Sequence, residues 1–337
     1  MNKTKNNEKR IAANRKFKRN FVRLGDFYKE SAKHVIKEET KKCKITGISS
    51  GFKSLDNLTG GWQNSELILL AGRPSMGKTS LAVSMISNIA CEQRIPAAFF
   101  SLESSKEHLI NRFYSVICDT SRRKIKEENI NEEEKWRFNN KIISLLEAPI
   151  YIDDTPGLSE LELRDKAQIL VKEYGVKIIV IDNLQLMTVL GATIYNRQEE
   201  VSAIVRSLKN LALELNIPII ATSHINRCVK SHEVIAGKIP LLSDLQESSS
   251  LEQDSDMIVF VHRPDYYNMY MDENGNDLHD IVNVILAKNR NGATGHINLK
   301  AYWDYMKFKE LPIRPQMKFT RKQKGLDFME MADTTKK

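Results

Sequence analysis

The sequence predicts an α/β fold, with a central, mostly parallel sheet flanked by helices on both faces. Three observations predict it. Seven short apolar runs mark the middle of the chain: Glu66–Gly72, Ala97–Leu102, Ile150–Asp153, Lys177–Asp182, Ile217–Ser223, Met257–His262 and Ile281–Ala287. They are near-continuous and rich in β-branched or aromatic residues, as strands covered on both faces are. Helical patterns lie between most of the early runs, and alternating βα units build parallel sheets. The first run also leads through a glycine-containing turn into a helical pattern, and ligands in such sheets bind beyond the carboxyl ends of the strands.

The elements can be justified in chain order. Residues 1 to about 43 form a basic extension. Lys3, Lys5, Lys9, Arg10, Arg15, Lys16, Lys18, Arg19 and Arg23 stand there against Glu8 alone among the first 23 residues. A solvated tail and a nucleic-acid contact both fit this charge run. Within the extension, Phe21, Leu24, Phe27, Tyr28, Ala32 and Val35 recur at helical spacing, which suits a linker helix that docks on another surface. Residues 44–309 hold the alternating segments of the core. A helix is expected to start near Ser159, with Glu162 at capping-box spacing. The clearest helix runs from Arg197 to about Asn216, where Val201, Ile204, Val205, Leu208, Leu211, Ala212 and Leu215 form one apolar stripe. Residues 310–337, with two prolines and several lysines, read as a flexible tail.

Composition narrows the function classes. Of the 337 residues, 41% are hydrophobic and 28% charged, which suits a globular chain with a sizeable core. No apolar stretch approaches the roughly 18 residues of a membrane-spanning helix, and the N-terminus lacks the apolar segment of a signal peptide. A cytoplasmic protein without a membrane partner is therefore expected. The net charge of +8 fits a polyanionic partner. Cys43, Cys91, Cys118 and Cys228 are scattered without metal-ligand spacing and read as reduced thiols.

Chemistry concentrates at the strand ends. Gly72-Arg73-Pro74-Ser75-Met76-Gly77-Lys78-Thr79, followed by Ser80, fulfils the pattern of a phosphate-binding loop between a strand and a helix. Backbone N–H groups of such a loop and the positive end of the following helix face phosphate oxygens. Lys78 can reach the outer phosphates of ATP, and the Thr79 hydroxyl can ligand magnesium. Asp182 ends the run Lys-Ile-Ile-Val-Ile-Asp and can hold the same Mg2+ through water; a turn or capping aspartate is the alternative. Glu103, just beyond the second run, can accept a proton from attacking water or cap a helix. Asp153 and Asp154 compete for that role, although Thr155-Pro156-Gly157 after them reads as a turn. His224 at its strand end can sense the outer phosphate or be a surface histidine without a role. Arg290 can stabilise a transferring phosphoryl group, a contribution of roughly 10³–10⁵ in rate, or belong to an exposed basic loop.

At this point the residues resemble the ATPase core of the DnaB-type replicative helicases. The likeness is carried by Thr46-Gly47-Ile48-Ser49-Ser50-Gly51-Phe52-Lys53-Ser54-Leu55-Asp56 with Thr59-Gly60-Gly61, and by Arg73–Thr79 and Phe100–Glu103. It continues through Asp153–Leu158, Ile181–Met187, Asn196–Val201, Leu242–Leu245, Glu252–Asp254 and Lys288–Gly292. These motifs fall in family order across about residues 44–309. The resemblance implies a RecA-like fold, a hexameric ring around single-stranded DNA, and ATP with Mg2+ at subunit interfaces. It makes Glu103 the residue that polarises water and sends Lys288 and Arg290 into the neighbour's site. A primase or a helicase loader would be further partners. Two departures stand out. His224 replaces the family's frequent glutamine, as in related phage-type ring helicases. The DNA-facing loop reads Gln246-Glu247-Ser248-Ser249 where the family has an arginine and a glycine. Only about 43 residues precede the core, so the family's helical N-terminal domain is not expected here. Two other classes fit parts of the pattern: a recombination ATPase of the RecA or RadA type, and a non-catalytic nucleotide-bound scaffold. Filaments in place of closed rings would favour the first, and absence of turnover the second.

Overall fold

A computed structural model describes residues 45–311, apart from 122, 125–130, 190–195, 226–238, 246–248 and 273–274. The basic extension with its linker helix, Gln246, Glu247, Cys43, Cys228 and nearly all of the expected tail lie outside the described residues. So does the side chain of Ser249.

The strands are β1 (Leu67–Gly72), β2 (Ala97–Ser101), β3 (Ile150–Asp153), β4 (Ile178–Asp182), β5 (Ile219–His224), β6 (Met257–His262), β7 (Ile281–Asn289), β8 (Gly295–Tyr302) and β9 (Lys307–Glu310). The helices are α1 (Lys53–Thr59), α2 (Lys78–Ser87), α3 (Lys106–Cys118), α4 (Glu132–Leu146), α5 (Glu160–Tyr174), α6 (Arg197–Leu215) and α7 (Ser249–Asp254). All nine strands join one sheet in the order β3-β2-β4-β5-β1-β6-β7-β8-β9. The first six in that order are parallel, and β7, β8 and β9 continue the sheet antiparallel.

Burial explains why the sequence reading found seven strands and missed two. Every residue of β1, β2, β4 and β6 is buried. One sheet face packs Ile68, Leu70, Phe99 and Val180 under Leu81, Met85 and Phe113 of α2 and α3. The other packs Leu67, Leu69, Ala98 and Ile179 under Leu163 of α5 and Val201, Ile204 and Leu208 of α6. Along β8, by contrast, His296, Asn298, Lys300 and Tyr302 are exposed and alternate with inward residues, so no continuous apolar run marks it. Glu310, assigned from sequence to the tail, belongs to β9 and accepts hydrogen bonds from Ser54 N and Oγ at the start of α1.

The two helices read from sequence form where expected. Ser159 Oγ accepts from Glu162 N at 3.2 Å, while the Glu162 carboxylate accepts from Ser159 N at 3.1 Å, closing the capping box of α5. Asn196 caps α6 by accepting from Glu199 N, and six of the seven stripe residues of α6 are buried. Among the described residues, no helix is long and apolar enough to cross a membrane, and no cluster of His, Cys, Asp or Glu could hold a metal. Cys91 and Cys118 are free thiols, pushed up to about 11 by burial.

Candidate active site

Parallel register brings the strand ends level. Gly72 of β1 lies opposite His224 of β5, and Ser101 of β2 opposite Asp182 of β4. The loop after β1 turns into α2 through Gly77, whose φ of 96° is open to glycine at little cost. A Cβ on Gly72 would meet the Val261 carbonyl at 2.8 Å, so the strand end can approach β6 only as glycine. Pro74, Ser75, Gly77, Lys78, Thr79 and Ser80 line a cleft of about 410 Å³. Arg73 and Met76 turn away from it. Arg73 Nη1 donates to the Tyr267 hydroxyl at 2.9 Å, and Met76 is buried in the core.

Lys78 is buried at the centre of the loop. Its Nζ donates to the carbonyls of Gly72 (2.9 Å) and Arg73 (3.0 Å) and lies 3.2 Å from His224 Nδ1. Burial lowers its pKa to about 8 against the opposing pull of Asp182 and Glu103. Asp182 is 2% exposed. Its Oδ2 accepts from Thr79 Oγ1 at 2.8 Å and its Oδ1 from Thr222 Oγ1. Burial pushes this carboxyl up, and the Thr222 and Thr79 hydroxyls oppose the rise. Asp182 therefore lies beneath the cleft, in contact with its lining residue Thr79, and its side-chain partners are these two hydroxyls. Thr79 Oγ1 and Asp182 Oδ2, 2.8 Å apart, set a hydroxyl and a carboxylate side by side, and such hard oxygen donors suit a magnesium ion.

Glu103 faces the same cleft. Its Oε2 accepts from Asn183 Nδ2 at 2.8 Å and lies 3.6 Å from His224 Nε2. His224, then Asn183 and Lys78, hold the carboxyl down at about 2 against the burial that raises it. The helix-capping alternative is taken by other residues, since Ser105 caps α3 and Asp154 accepts from Lys106 N. Asp153 accepts from Thr155 N and pairs with Lys166, which is the turn chemistry read from Thr155-Pro156-Gly157. His224 links Glu103 and its partner Asn183 to the lysine: Asn183 Nδ2 lies 3.1 Å from its Nε2, and its backbone N–H donates to Gln185 Oε1. Lys78, His224, Asn183 and Glu103 thus form one chain of side-chain contacts, and Thr79, Asp182 and Thr222 form a second beside it.

Lys288 and Arg290 lie elsewhere, held at the end of α7 and on Asp256. Within one chain they do not line the cleft.

Sequence reading missed Asn183, Thr222, Arg263 and Trp303. Arg263 follows β6 as Glu103 follows β2, so its position alone was a signal. Its guanidinium stacks 3.6 Å from the Trp303 ring centre, and Asp265 engages its edge at 3.2 and 3.3 Å. Arg263 and Trp303 wall the cleft. Trp303 sits in the β8–β9 turn and carries no local sequence signal.

Comparison with known proteins fits this geometry. The family model of the DnaB-like helicase C terminal domain matches residues 47–310. The chain belongs to this family. It is 42% identical over 274 residues to a probable replicative DNA helicase of Trieres chinensis, covering 81% of this chain and 59% of that one. It is 38% identical over 302 residues to the replicative DNA helicase DnaC of Bacillus subtilis, covering 90% and 65%. The chain therefore spans about six-tenths of the length of these curated relatives. A solved ATPase domain superposes with a TM-score of 0.76 at 34% identity, covering 85% of this chain and 99% of that one. A solved DnaB-like replicative helicase, described with its interactions with primase, gives 0.73 at 33% identity, covering 84% and 67%. The fold is that of the RecA-like ATPase domain of DnaB-like helicases.

Proposed function

We propose that this chain is the ATP-hydrolysing motor of a DNA helicase that moves along single-stranded DNA as a ring, hexameric by family resemblance, during replication in the cytoplasm. The observation that carries the reading is the convergence of Lys78, Thr79, Asp182, Glu103 and His224 at the ends of adjacent parallel strands. Residues 44–309, extended by Glu310, form the motor core, with residues 1–43 as a linker-bearing extension and the remainder as a tail. Primase, with which one solved relative interacts, and a helicase loader are the protein partners this reading points to.

The loop from Gly72 to Ser80 holds the triphosphate with backbone N–H groups and the Lys78 ammonium. Thr79 and Asp182 would hold Mg2+, which supplies charge neutralisation at the phosphate oxygens when bound. Glu103, ionised at neutral pH, accepts a hydrogen bond from the attacking water and orients it. His224 touches both Lys78 and Glu103's partner Asn183, so it is placed to register the outer phosphate. The nucleobase would meet the cleft wall formed by Arg263, held by Asp265 and stacked on Trp303. Lys288 and Arg290 reach the neighbouring subunit's site, and Gln246, Glu247 and Ser249 face DNA. ATP turnover measured with and without single-stranded DNA, alongside unwinding of a tailed duplex, tests the assignment. Turnover without DNA stimulation and without unwinding would remove the motor.

A further inference from the structure

The reach of Arg290 into a neighbour depends on how its own chain aims it. Arg290 lies just past the end of β7, and its side chain is 48% exposed. Its Nη2 donates to the Gln253 carbonyl at 2.6 Å and its Nη1 lies 3.4 Å from Asp256 Oδ1. Its backbone N–H donates to the Asp256 carbonyl at 2.9 Å. Lys288 Nζ donates to the carbonyls of Glu252 and, at 2.7 Å, Ser255.

Asp256 is far more rigid than the arginine it meets. Its side chain is 5% exposed. Oδ2 accepts from Lys209 Nζ of α6 at 2.6 Å and from Leu67 N, the first residue of β1, at 2.8 Å. The Asp256 backbone N–H donates to the Leu67 carbonyl at 2.9 Å. One oxygen of this carboxylate is therefore pinned to the strand that leads into the phosphate loop, and the other is left for the guanidinium. An arginine already anchored in one arrangement loses less conformational freedom on meeting a phosphate than a free one does.

We propose that Asp256 is a positioning residue that aims Arg290 at the nucleotide of the adjacent subunit. The inference rests on the reading of Arg290 as acting in trans. Because the other anchors are carbonyls at the end of α7 and just after it, the finger is also fixed to the helix that begins at Ser249. A shift of that helix is passed to the finger.

Mixed assemblies test this. Asp256→Asn keeps an acceptor for Leu67 N but loses the charge that holds Arg290. Alone, it should lower the kcat of ATP hydrolysis between about tenfold and a hundredfold, the scale of a misplaced catalytic group, with KM nearly unchanged. Lys78→Ala chains lack the phosphate lysine but keep an intact finger. Mixed with Asp256→Asn chains, they should restore turnover severalfold, because intact sites then face intact fingers. Arg290→Ala mixed with Lys78→Ala should recover in the same way. If that control recovers and the Asp256→Asn mixture does not, Asp256 acts within its own subunit and the inference fails. If neither recovers, the trans reading itself falls and takes the inference with it. Lys209→Met with Asp256→Asn should turn over about tenfold or more below Lys209→Met alone, which keeps the carboxylate facing Arg290. This pair removes the orphaned buried ammonium and keeps the test valid if Asp256→Asn folds poorly; equal rates for the pair would overturn the proposal.

Discussion

Thr222→Val probes the buried acid directly. Asp182 is 2% exposed, and its two oxygens are served by two hydroxyls, Thr222 on Oδ1 and Thr79 on Oδ2. Valine matches threonine in shape, so the change removes a donor with little change in packing. A hydrogen bond to a charged group contributes about 1.5–3 kcal/mol, and the orphaned oxygen has no access to water. Burial already raises the Asp182 carboxyl, and losing a donor that opposes the rise raises it further. A carboxyl raised in the folded state favours folding most when protonated and loses that advantage as pH increases. The stability deficit of the variant, measured by urea denaturation, should therefore be larger at neutral than at acid pH. Magnesium affinity in the presence of nucleotide should fall by roughly tenfold to a hundredfold, at 1.4 kcal/mol per tenfold. Thr222→Ser should recover most of both. Equal stability at all pH values, with an unchanged magnesium titration, would show that the Thr222 hydroxyl does not support Asp182.

Three further outcomes are expected. Lys78 keeps its proton below about pH 8, so nucleotide affinity should be full there and decline as pH rises through that value. Calorimetry in buffers of different ionisation enthalpy should then show proton uptake on binding, and a flat profile would remove the lysine's charge from the site. Glu103→Gln leaves an oxygen for Asn183 Nδ2, so nucleotide binding should persist while turnover drops about 10²–10⁴-fold in a steady-state assay. Ser159→Ala opens the capping box of α5 and should cost about 1 kcal/mol in denaturation with ATP turnover unchanged.

What could be read from sequence follows from how each feature is encoded. The phosphate loop is written in consecutive residues because one turn and one helix start make it. Glu103, Asp182 and His224 are legible because a parallel sheet gathers whatever follows its strands. Helix α6 is legible because its stripe is buried along one face. Strands β8 and β9 carry lysine, histidine and asparagine on an open face, so the buried-run signature fails for them. Thr222 and Asn183 sit beside readable residues, yet their roles come from pairings across the sheet with Asp182 and Glu103. Trp303 meets Arg263 across 40 residues through the β8–β9 turn, and no local pattern encodes that contact. The charge on Arg290 was legible, whereas its anchor Asp256 was not, because the pairing depends on β6 and β7 lying side by side.

Charge accounting in the cleft supports the proposal that another chain completes the site. Lys78, Arg112 and Arg263 line it. Against them stand the carboxylates of Glu103, of Asp182 on Thr79, and of Asp265 on Arg263. Among the described residues, three cations thus meet three acids in and just beneath the cleft. A nucleoside triphosphate remains negative with one magnesium bound, and charge shifts onto its outer oxygens as the terminal phosphoryl departs. Further positive charge would help to match that change. The chain does carry two further cations on rigid anchors, Lys288 and Arg290, and both sit away from their own cleft with Arg290 half exposed. In a heterologous interface each subunit presents one surface to a different surface of the next, and such contacts close into rings. An interface of that kind would place those cations against a neighbour's phosphates, so that nucleotide is fully compensated only between subunits and hydrolysis reports on the state of the whole assembly.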